Sequence, residues 1–189
     1  MNIMFVYSAL CSLFAVAVSA ASNTCVCTTV SCPVVGKNTL AMGKGTAKIT
    51  YNYELHGDYP VVVKATGTVM PTDLDHGTDT TSCTQEYARM LEDDGNQNCD
   101  AGHILANRLG GYGNQPINIF PQDYSINRGA YAQFEDQVYH CLIDAKQGDF
   151  EWQFTYINST HTKPHSVEYS VSFSGGKCGH IKSSFPNGK

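Results

Sequence analysis

The sequence has few positively charged side chains: 12 Lys and Arg stand against 17 Asp and Glu, which gives a formal net charge of −5. Arginine is the scarcer of the two cations and occurs only at Arg89, Arg108 and Arg128. A protein that holds nucleic acid through many phosphate contacts is normally basic. The composition therefore argues against tight, sequence-independent binding of nucleic acid. It still permits a hydrolase that holds one phosphate through a metal cation and a few local contacts.

Long hydrophobic runs are also scarce, because only the N-terminus carries one. The first twenty residues contain no charged side chain, are apolar from Leu10 to Val18 and end in Val18-Ser19-Ala20. This pattern predicts a secretory signal peptide over residues 1–20, cleaved after Ala20. The alternative, a signal anchor that stays in the membrane, is disfavoured because the apolar core is shorter than a bilayer span. We expect a secreted protein with no membrane contact after cleavage.

Cysteine is plentiful for a chain of this length. Removal of the signal peptide leaves seven cysteines, at Cys25, Cys27, Cys32, Cys83, Cys99, Cys141 and Cys178. In a secreted protein this predicts disulfides of unknown connectivity, and the odd number leaves one thiol free or shared with another chain. A zinc site at the first three cysteines is the alternative, but a fourth ligand at finger spacing is lacking.

Two pairs of alternating segments are typical of β-hairpins. Apolar and polar residues alternate from Ala47 to Leu55, and a second strand is predicted from Val61 to about Met70. The same alternation occurs from Phe150 to Tyr156 and from Val167 to Phe173. We therefore expect an α+β fold, an antiparallel β-sheet stabilised by disulfides.

One main helix is predicted to begin near Asn127, a residue type favoured at the N-cap. Its apolar stripe consists of Tyr131, Phe134, Val138, Cys141, Leu142 and Ala145. A shorter helix is expected from Thr84 to Leu91. Repeats and low-complexity tracts are absent from the sequence, so we expect one domain over 44–182, a Cys-rich arm over 21–43 and a flexible tail over 183–189.

A constellation suited to phosphodiester chemistry lies around this helix. His103 can deprotonate a water, because the pKa of histidine lies near working pH. Asn127 can offer its amide oxygen to Mg²⁺, which accepts a single protein ligand beside its waters. Glu135 follows eight residues later, angularly close to Asn127 on a helix, and can support the hydrated ion. Each has a plainer interpretation: His103 as a structural histidine, Asn127 as a helix cap only, and Glu135 as an exposed helix charge.

The ordered motifs of this region resemble the DNA/RNA non-specific endonucleases, a family of ββα-metal (His-Me finger) nucleases. The family signature is Asp-Arg-Gly-His, a loop ending in Pro-Gln, then Asn-x-Gly-x-Trp and a helical Glu. The sequence has Asp100-Ala101-Gly102-His103, then Asn118-Ile119-Phe120-Pro121-Gln122, then Asn127-Arg128-Gly129-Ala130-Tyr131, with Glu135 in register.

The resemblance implies a ββα-metal core and cleavage of DNA and RNA with little sequence preference. It implies that His103 is the general base, that Asn127 is the Mg²⁺ ligand (Mn²⁺ or Ca²⁺ being alternatives) and that Glu135 supports the ion. Asp100 belongs to the same motif, and Asn118 and Gln122 would shape the site.

One departure from the signature weakens the implied activity. The arginine of the family stands here as Ala101, so a contact to the phosphate or the transition state is missing. Arg108 or Arg128 can take its place, and losing one such contact should lower activity without abolishing the mechanism. The alternative from another functional class is a secreted binding protein or toxin that keeps the nuclease scaffold with weak or no catalysis.

Overall fold

The computed structural model describes residues 36–57, 59–93 and 99–188. Its strands are β1 (Gly36–Met42), β2 (Ala47–His56), β3 (Tyr59–Val69), β4 (Cys99–His103), β5 (Ile119–Asp123), β6 (Gln147–Thr155), β7 (Ser166–Ser174) and β8 (His180–Pro186). Its α-helices are α1 (Ser82–Met90), α2 (Tyr124–Ile126) and α3 (Ala132–Asp144), with a π-helical turn at Asn127–Tyr131. Short 3-10 helices span Pro71–Asp73, Asn107–Leu109 and Pro116–Asn118.

Six strands form one antiparallel sheet in the order β1-β2-β3-β6-β7-β8. Both predicted hairpins are confirmed, as β2–β3 and β6–β7, because alternating apolar residues turn one face of each strand inward. Along β6, for example, Phe150, Trp152 and Phe154 are buried and the residues between them are exposed. The α+β fold expected from the sequence is confirmed.

One face of the sheet is covered by α3. Phe134, Val138 and Leu142 of this helix belong to the same buried cluster as Trp152 and Tyr169 of the sheet. The ring centroids of Phe134 and Tyr169 are 4.9 Å apart in an edge-to-face arrangement. This packing fixes α3, and with it the helical turns that precede it.

A separate antiparallel pair, β4–β5, precedes these helical turns. Gly102 pairs with Phe120 and His103 with Ile119. Because β5 ends at Asp123 and α2 begins at Tyr124, the chain enters the helical segment directly from the strand. The order β4, β5, helix is the ββα unit that the resemblance implied.

The predicted helix start at Asn127 is wrong by about one turn. The helical segment begins at Tyr124, and Asp123 is its cap, since its side chain accepts hydrogen bonds from the backbone N–H groups of Ser125 and Ile126. Asn127 instead opens the π-helical turn, which is distorted at Gly129. Asp123, four residues before Asn127 and eight before Tyr131, thus competes successfully with the asparagine as the helix cap.

The predicted flexible tail is also wrong for most of its length. Residues 183–186 lie in β8, Phe185 is buried, and the Asn187 side chain donates to the carbonyl groups of Pro121 and Pro164. The polar residues of the exposed face predict a flexible tail, but Phe185, its single aromatic residue, packs against Tyr131 and Phe134.

Disulfides stabilise the fold, as expected. Cys141 of α3 is bonded to Cys178, and Cys83 is also disulfide-bonded. Cys99 is a buried free thiol. The predicted signal peptide and most of the Cys-rich arm lie outside the described residues. Among the residues that are described, no helix has the length and apolar character needed to cross a membrane.

Candidate active site

A polar cavity of about 340 Å³ opens between β4, α1 and the first turns of the helical segment. We call it the His103 cavity. Its lining consists of Thr80, Gln85, Arg89, Cys99, Asp100, Ala101, His103, Asn127 and Arg128. The structure therefore brings four of the residues singled out in the sequence, Asp100, His103, Asn127 and Arg128, to one place.

The imidazole of His103 is held by the loop before α1. Its Nε2 lies 3.2 Å from the carbonyl oxygen of Thr78, which can only accept, so Nε2 carries the proton and Nδ1 keeps its lone pair. Gly113 donates its N–H to the same carbonyl, and a Cβ at Gly113 would lie 2.5 Å from His103 Nε2. A glycine is needed there for the loop to approach the ring.

The environment of His103 favours its neutral form. Burial lowers the pKa of His103 below its ordinary value, against the smaller opposing effects of the Thr78 carbonyl and of Asp79. A neutral imidazole with a free Nδ1 can take a proton from a water.

Asp100 joins the strand to the helical segment. Its carboxylate accepts two hydrogen bonds from Arg128, of 2.8 Å from Nε and 2.7 Å from a terminal nitrogen, and a third of 3.0 Å from Asn127 Nδ2. Burial opposes ionisation of Asp100, but these hydrogen bonds outweigh it and hold its pKa below the ordinary value. Asp100 is thus an ionised anchor for the two helical side chains.

The amide of Asn127 is oriented by this contact. A carboxylate accepts but does not donate, so the NH₂ group must face Asp100 and the Oδ1 atom must face away. Within the described residues Oδ1 has no hydrogen-bond partner. Because Oδ1 belongs to a residue of a polar cavity, it fits a hard cation such as Mg²⁺, which binds through one protein oxygen and several waters. The described residues contain no group of three His, Cys, Asp or Glu side chains that could form a closed metal cage.

Glu135 does not line the His103 cavity. It lies in α3, only partly exposed, and its Oε1 is enclosed without a hydrogen-bond partner among the described residues. Burial raises its pKa to about 8, and Arg108 opposes this to a smaller extent. A buried carboxylate oxygen without a hydrogen-bond partner is unfavourable in the free protein. It therefore marks a position where a polar group of a ligand could hydrogen-bond.

Two other residues from the sequence analysis lie away from the cavity. Arg108 is paired with Asp136 at 2.6 Å and lies over the ring of Tyr139. Asn118 is fully buried, where it accepts hydrogen bonds from Tyr51 and the backbone N–H of Leu105 and donates to the carbonyl of Leu105. Asn118 therefore supports the loop that follows His103 and does not contact the cavity.

Sequence reasoning missed the contribution of α1 and the residues before it. Thr80, Gln85 and Arg89 line the cavity, although the sequence assigned them only to a loop and a short helix. Gln85 and Arg89 are four residues apart and therefore share one face of α1. This polar face was the sequence feature that could have indicated their role. What the sequence alone could not supply was that this face turns toward β4.

Comparisons with known proteins identify the family to which the chain belongs. A model of the DNA/RNA non-specific endonuclease family matches residues 45–172. The chain is 41% identical over 122 residues to the protein named probable deoxyribonuclease RhsA of Dickeya dadantii (strain 3937). That match covers 65% of this chain and 8% of RhsA, so the chain spans only a small part of that relative.

Solved structures share the fold at low sequence identity. NucA from Streptococcus agalactiae with magnesium ion bound is 13% identical, with a TM-score of 0.52 over 76% of this chain and 71% of NucA. A structure titled extracellular endonuclease is 14% identical, with a TM-score of 0.50 over 74% of this chain and 79% of that one. Since the family model covers well over half of the sequence, the chain belongs to the DNA/RNA non-specific endonuclease family.

Proposed function

We propose that this protein is a secreted, metal-dependent endonuclease that hydrolyses phosphodiester bonds of DNA and RNA without sequence specificity. The observation that carries the proposal is the shared cavity of His103 and Asn127. Both residues line the same open space: His103 is a base with a free lone pair, and Asn127 has an oriented amide oxygen. Attack on a phosphate beside a cation requires this combination.

In the proposed reaction, His103 Nδ1 accepts a proton from the attacking water, while Nε2 stays bonded to the Thr78 carbonyl. Asn127 would hold Mg²⁺, Mn²⁺ or Ca²⁺ through Oδ1. When bound, such a cation stabilises negative charge on the phosphate and the leaving oxygen. Asp100 keeps Asn127 and Arg128 in place. Glu135 lies in α3 outside the lining of the His103 cavity, so it would support the hydrated ion only indirectly, through the ion's waters.

Several facts support the substrate and the location. The family description names both DNA and RNA, and the name of the RhsA relative specifies deoxyribonuclease. NucA has been crystallised with magnesium. Secretion is supported by the disulfides at Cys83 and Cys141 and by the apolar N-terminal twenty residues.

The experiment that tests the proposal is incubation of the purified protein with plasmid DNA and with RNA, in Mg²⁺ and in a chelator. Wild type should cleave both substrates only with the cation. His103→Ala should lose about two to four orders of magnitude in rate, the usual contribution of a general base. His140→Ala is the matched control, because His140 is exposed on α3 and bonded to the carbonyl of its own helix turn.

Two observations favour a second candidate, a nuclease scaffold that binds without efficient catalysis. Ala101 replaces the arginine of the family signature, and the chain is acidic overall. If wild type and His103→Ala are equally inert with the cation present, this second candidate replaces the first.

A further inference from the structure

We propose that Arg89 of α1 is a catalytic residue that binds the scissile phosphate, in place of the family arginine that stands as Ala101 here. This inference rests on the proposed function. It identifies the positively charged side chain that the β4 motif does not provide. It follows from the cavity lining, the pairing of the arginines and the packing of α1 on β4.

The pairing of the arginines separates Arg89 from the other two. Arg128 is neutralised by two hydrogen bonds to Asp100, and Arg108 is paired with Asp136 outside the cavity. The Arg89 side chain is exposed, lines the His103 cavity and makes no ion pair with any carboxylate of the described residues. Its charge is therefore available to a ligand, whereas a phosphate would have to compete with Asp100 for Arg128.

The packing of α1 explains how a helix can supply a group that the family takes from a strand. Ala88 of α1 is fully buried against Cys99 and Ile119, and Ala101 packs against this same cluster. The Thr84 hydroxyl donates a 2.8 Å hydrogen bond to the Gly113 carbonyl and fastens the helix at its other end. A small side chain at position 101 lets the helix lie close to β4, and the next residue after Ala88 is then Arg89.

The Arg89 guanidinium determines the net charge of the His103 cavity. Without Arg89, the charged groups of the lining are Arg128 and Asp100, which cancel, since His103 is neutral. With Arg89 the lining carries one net positive charge before any metal binds. A guanidinium can donate two parallel hydrogen bonds to the non-bridging oxygens of one phosphate, which become more negative in the transition state.

Two measurements on Arg89→Ala and Arg89→Gln test the proposal. The first is kcat/KM on a short DNA duplex with Mg²⁺, which should fall about 10- to 100-fold for both variants and less for Arg89→Lys. The second is the affinity for a labelled oligonucleotide in a chelator, where no cleavage occurs. Losing one phosphate contact should reduce the slope of log K against log salt by about 0.9.

Lys182→Ala is the control, because it also removes one positive charge but lies on β8, paired with Glu168. It should leave both kcat/KM and the salt slope at the wild-type values. Thermal unfolding of each variant shows whether it is folded. If the alanine variant unfolds, Arg89→Gln decides, because glutamine keeps the length and helix propensity of the position.

The proposal is overturned if folded Arg89→Ala or Arg89→Gln keeps the wild-type salt slope and kcat/KM. The result is distinguishable from failure of the proposed function. If wild type does not cleave at all, the proposed function fails, and the salt slope in chelator still reports whether Arg89 contacts phosphate. If wild type cleaves, His103→Ala does not and the Arg89 variants match wild type, only the assignment of Arg89 is lost.

Discussion

Asn127 Nδ2 donates a 3.0 Å hydrogen bond to Asp100 Oδ2, so a carboxylate on β4 determines which way the amide of the helical segment faces. The same carboxylate accepts two hydrogen bonds from the guanidinium of Arg128. Asp100 thus links the strand that carries His103 to the turn that carries the proposed metal ligand. The two halves of the site are held in register by a single ionised side chain.

Replacing Asp100 with alanine should therefore weaken both metal binding and catalysis. Asn127 would lose the partner that orients its amide, and a supporting contact of this kind contributes about 10- to 100-fold in metal affinity or activity. Isothermal titration with Mn²⁺ and kcat/KM on duplex DNA measure the two effects. Asp136→Ala is the matched control, since it frees Arg108 in the same way outside the cavity. Unchanged affinity and activity in Asp100→Ala would contradict the role given to this residue.

The pH dependence of activity should report the lowered pKa of His103. The protonated imidazole has no lone pair at Nδ1, so activity is lost as the pH falls through the pKa of His103. Because burial lowers this pKa, the acid limb of kcat/KM should have its midpoint below 6.5, the ordinary value for histidine. A midpoint at or above 6.5 would contradict the lowered pKa of His103.

Asp79 provides a second test of the same group, because its charge raises the pKa of His103 against the effect of burial. Asp79→Asn should therefore move the acid limb to still lower pH. The substitution keeps an oxygen to accept the 2.6 Å hydrogen bond from Asn107 Nδ2, so the loop should stay in place. A limb that moves to higher pH in this variant would contradict the electrostatic assignment.

The part of the site on β4 and the helical segment could be predicted from the sequence, because its residues lie in short motifs with fixed spacing. His103 and Asp100 are three residues apart in one motif, whereas the pairing of Gly102 with Phe120 was not predicted. The two hairpins could be predicted for a similar reason, since alternation reports the inward face of a strand directly.

Other features depend on contacts between residues far apart in sequence. Arg89 reaches the cavity only because Ala88 packs against Cys99 and Ile119. Similarly, β8 is held against the core because Phe185 packs against Tyr131 and Phe134. The mostly polar sequence of residues 183–189 gives no sign of this contact. The helix start was missed on local grounds, since Asp123 and Asn127 are both acceptable caps and the hydrogen bonds to Ser125 and Ile126 decide between them.

The disulfide between Cys141 and Cys178 should stabilise the fold without taking part in catalysis. It closes a segment with a sequence separation of 37 and ties α3 to the chain just before β8. Removing both cysteines as the double serine variant should lower the free energy of unfolding by about 2–4 kcal/mol. Urea denaturation measures this loss, and kcat/KM at 20 °C should remain at the wild-type level. A large loss of activity in the folded variant would instead connect the disulfide to the site.

Glu135 should reduce the stability of the metal-free protein as the pH rises. In the unfolded chain this carboxyl ionises near its ordinary pKa of 4.5, whereas in the folded protein burial raises the pKa to about 8. Between these values the unfolded state loses a proton that the folded state retains, so the free energy of unfolding falls with pH until the penalty is complete above pH 8.

Glu135→Gln removes the ionisation and keeps the shape of the neutral form. In chelator it should raise the free energy of unfolding by at least about 1.4 kcal/mol at pH 8.5, the equivalent of one pKa unit, and by much less at pH 4.5. Urea titrations at the two pH values measure the difference, with Asp136→Asn as the exposed neighbouring control. A gain in stability that is equal at both pH values would mean that the buried charge is not its source.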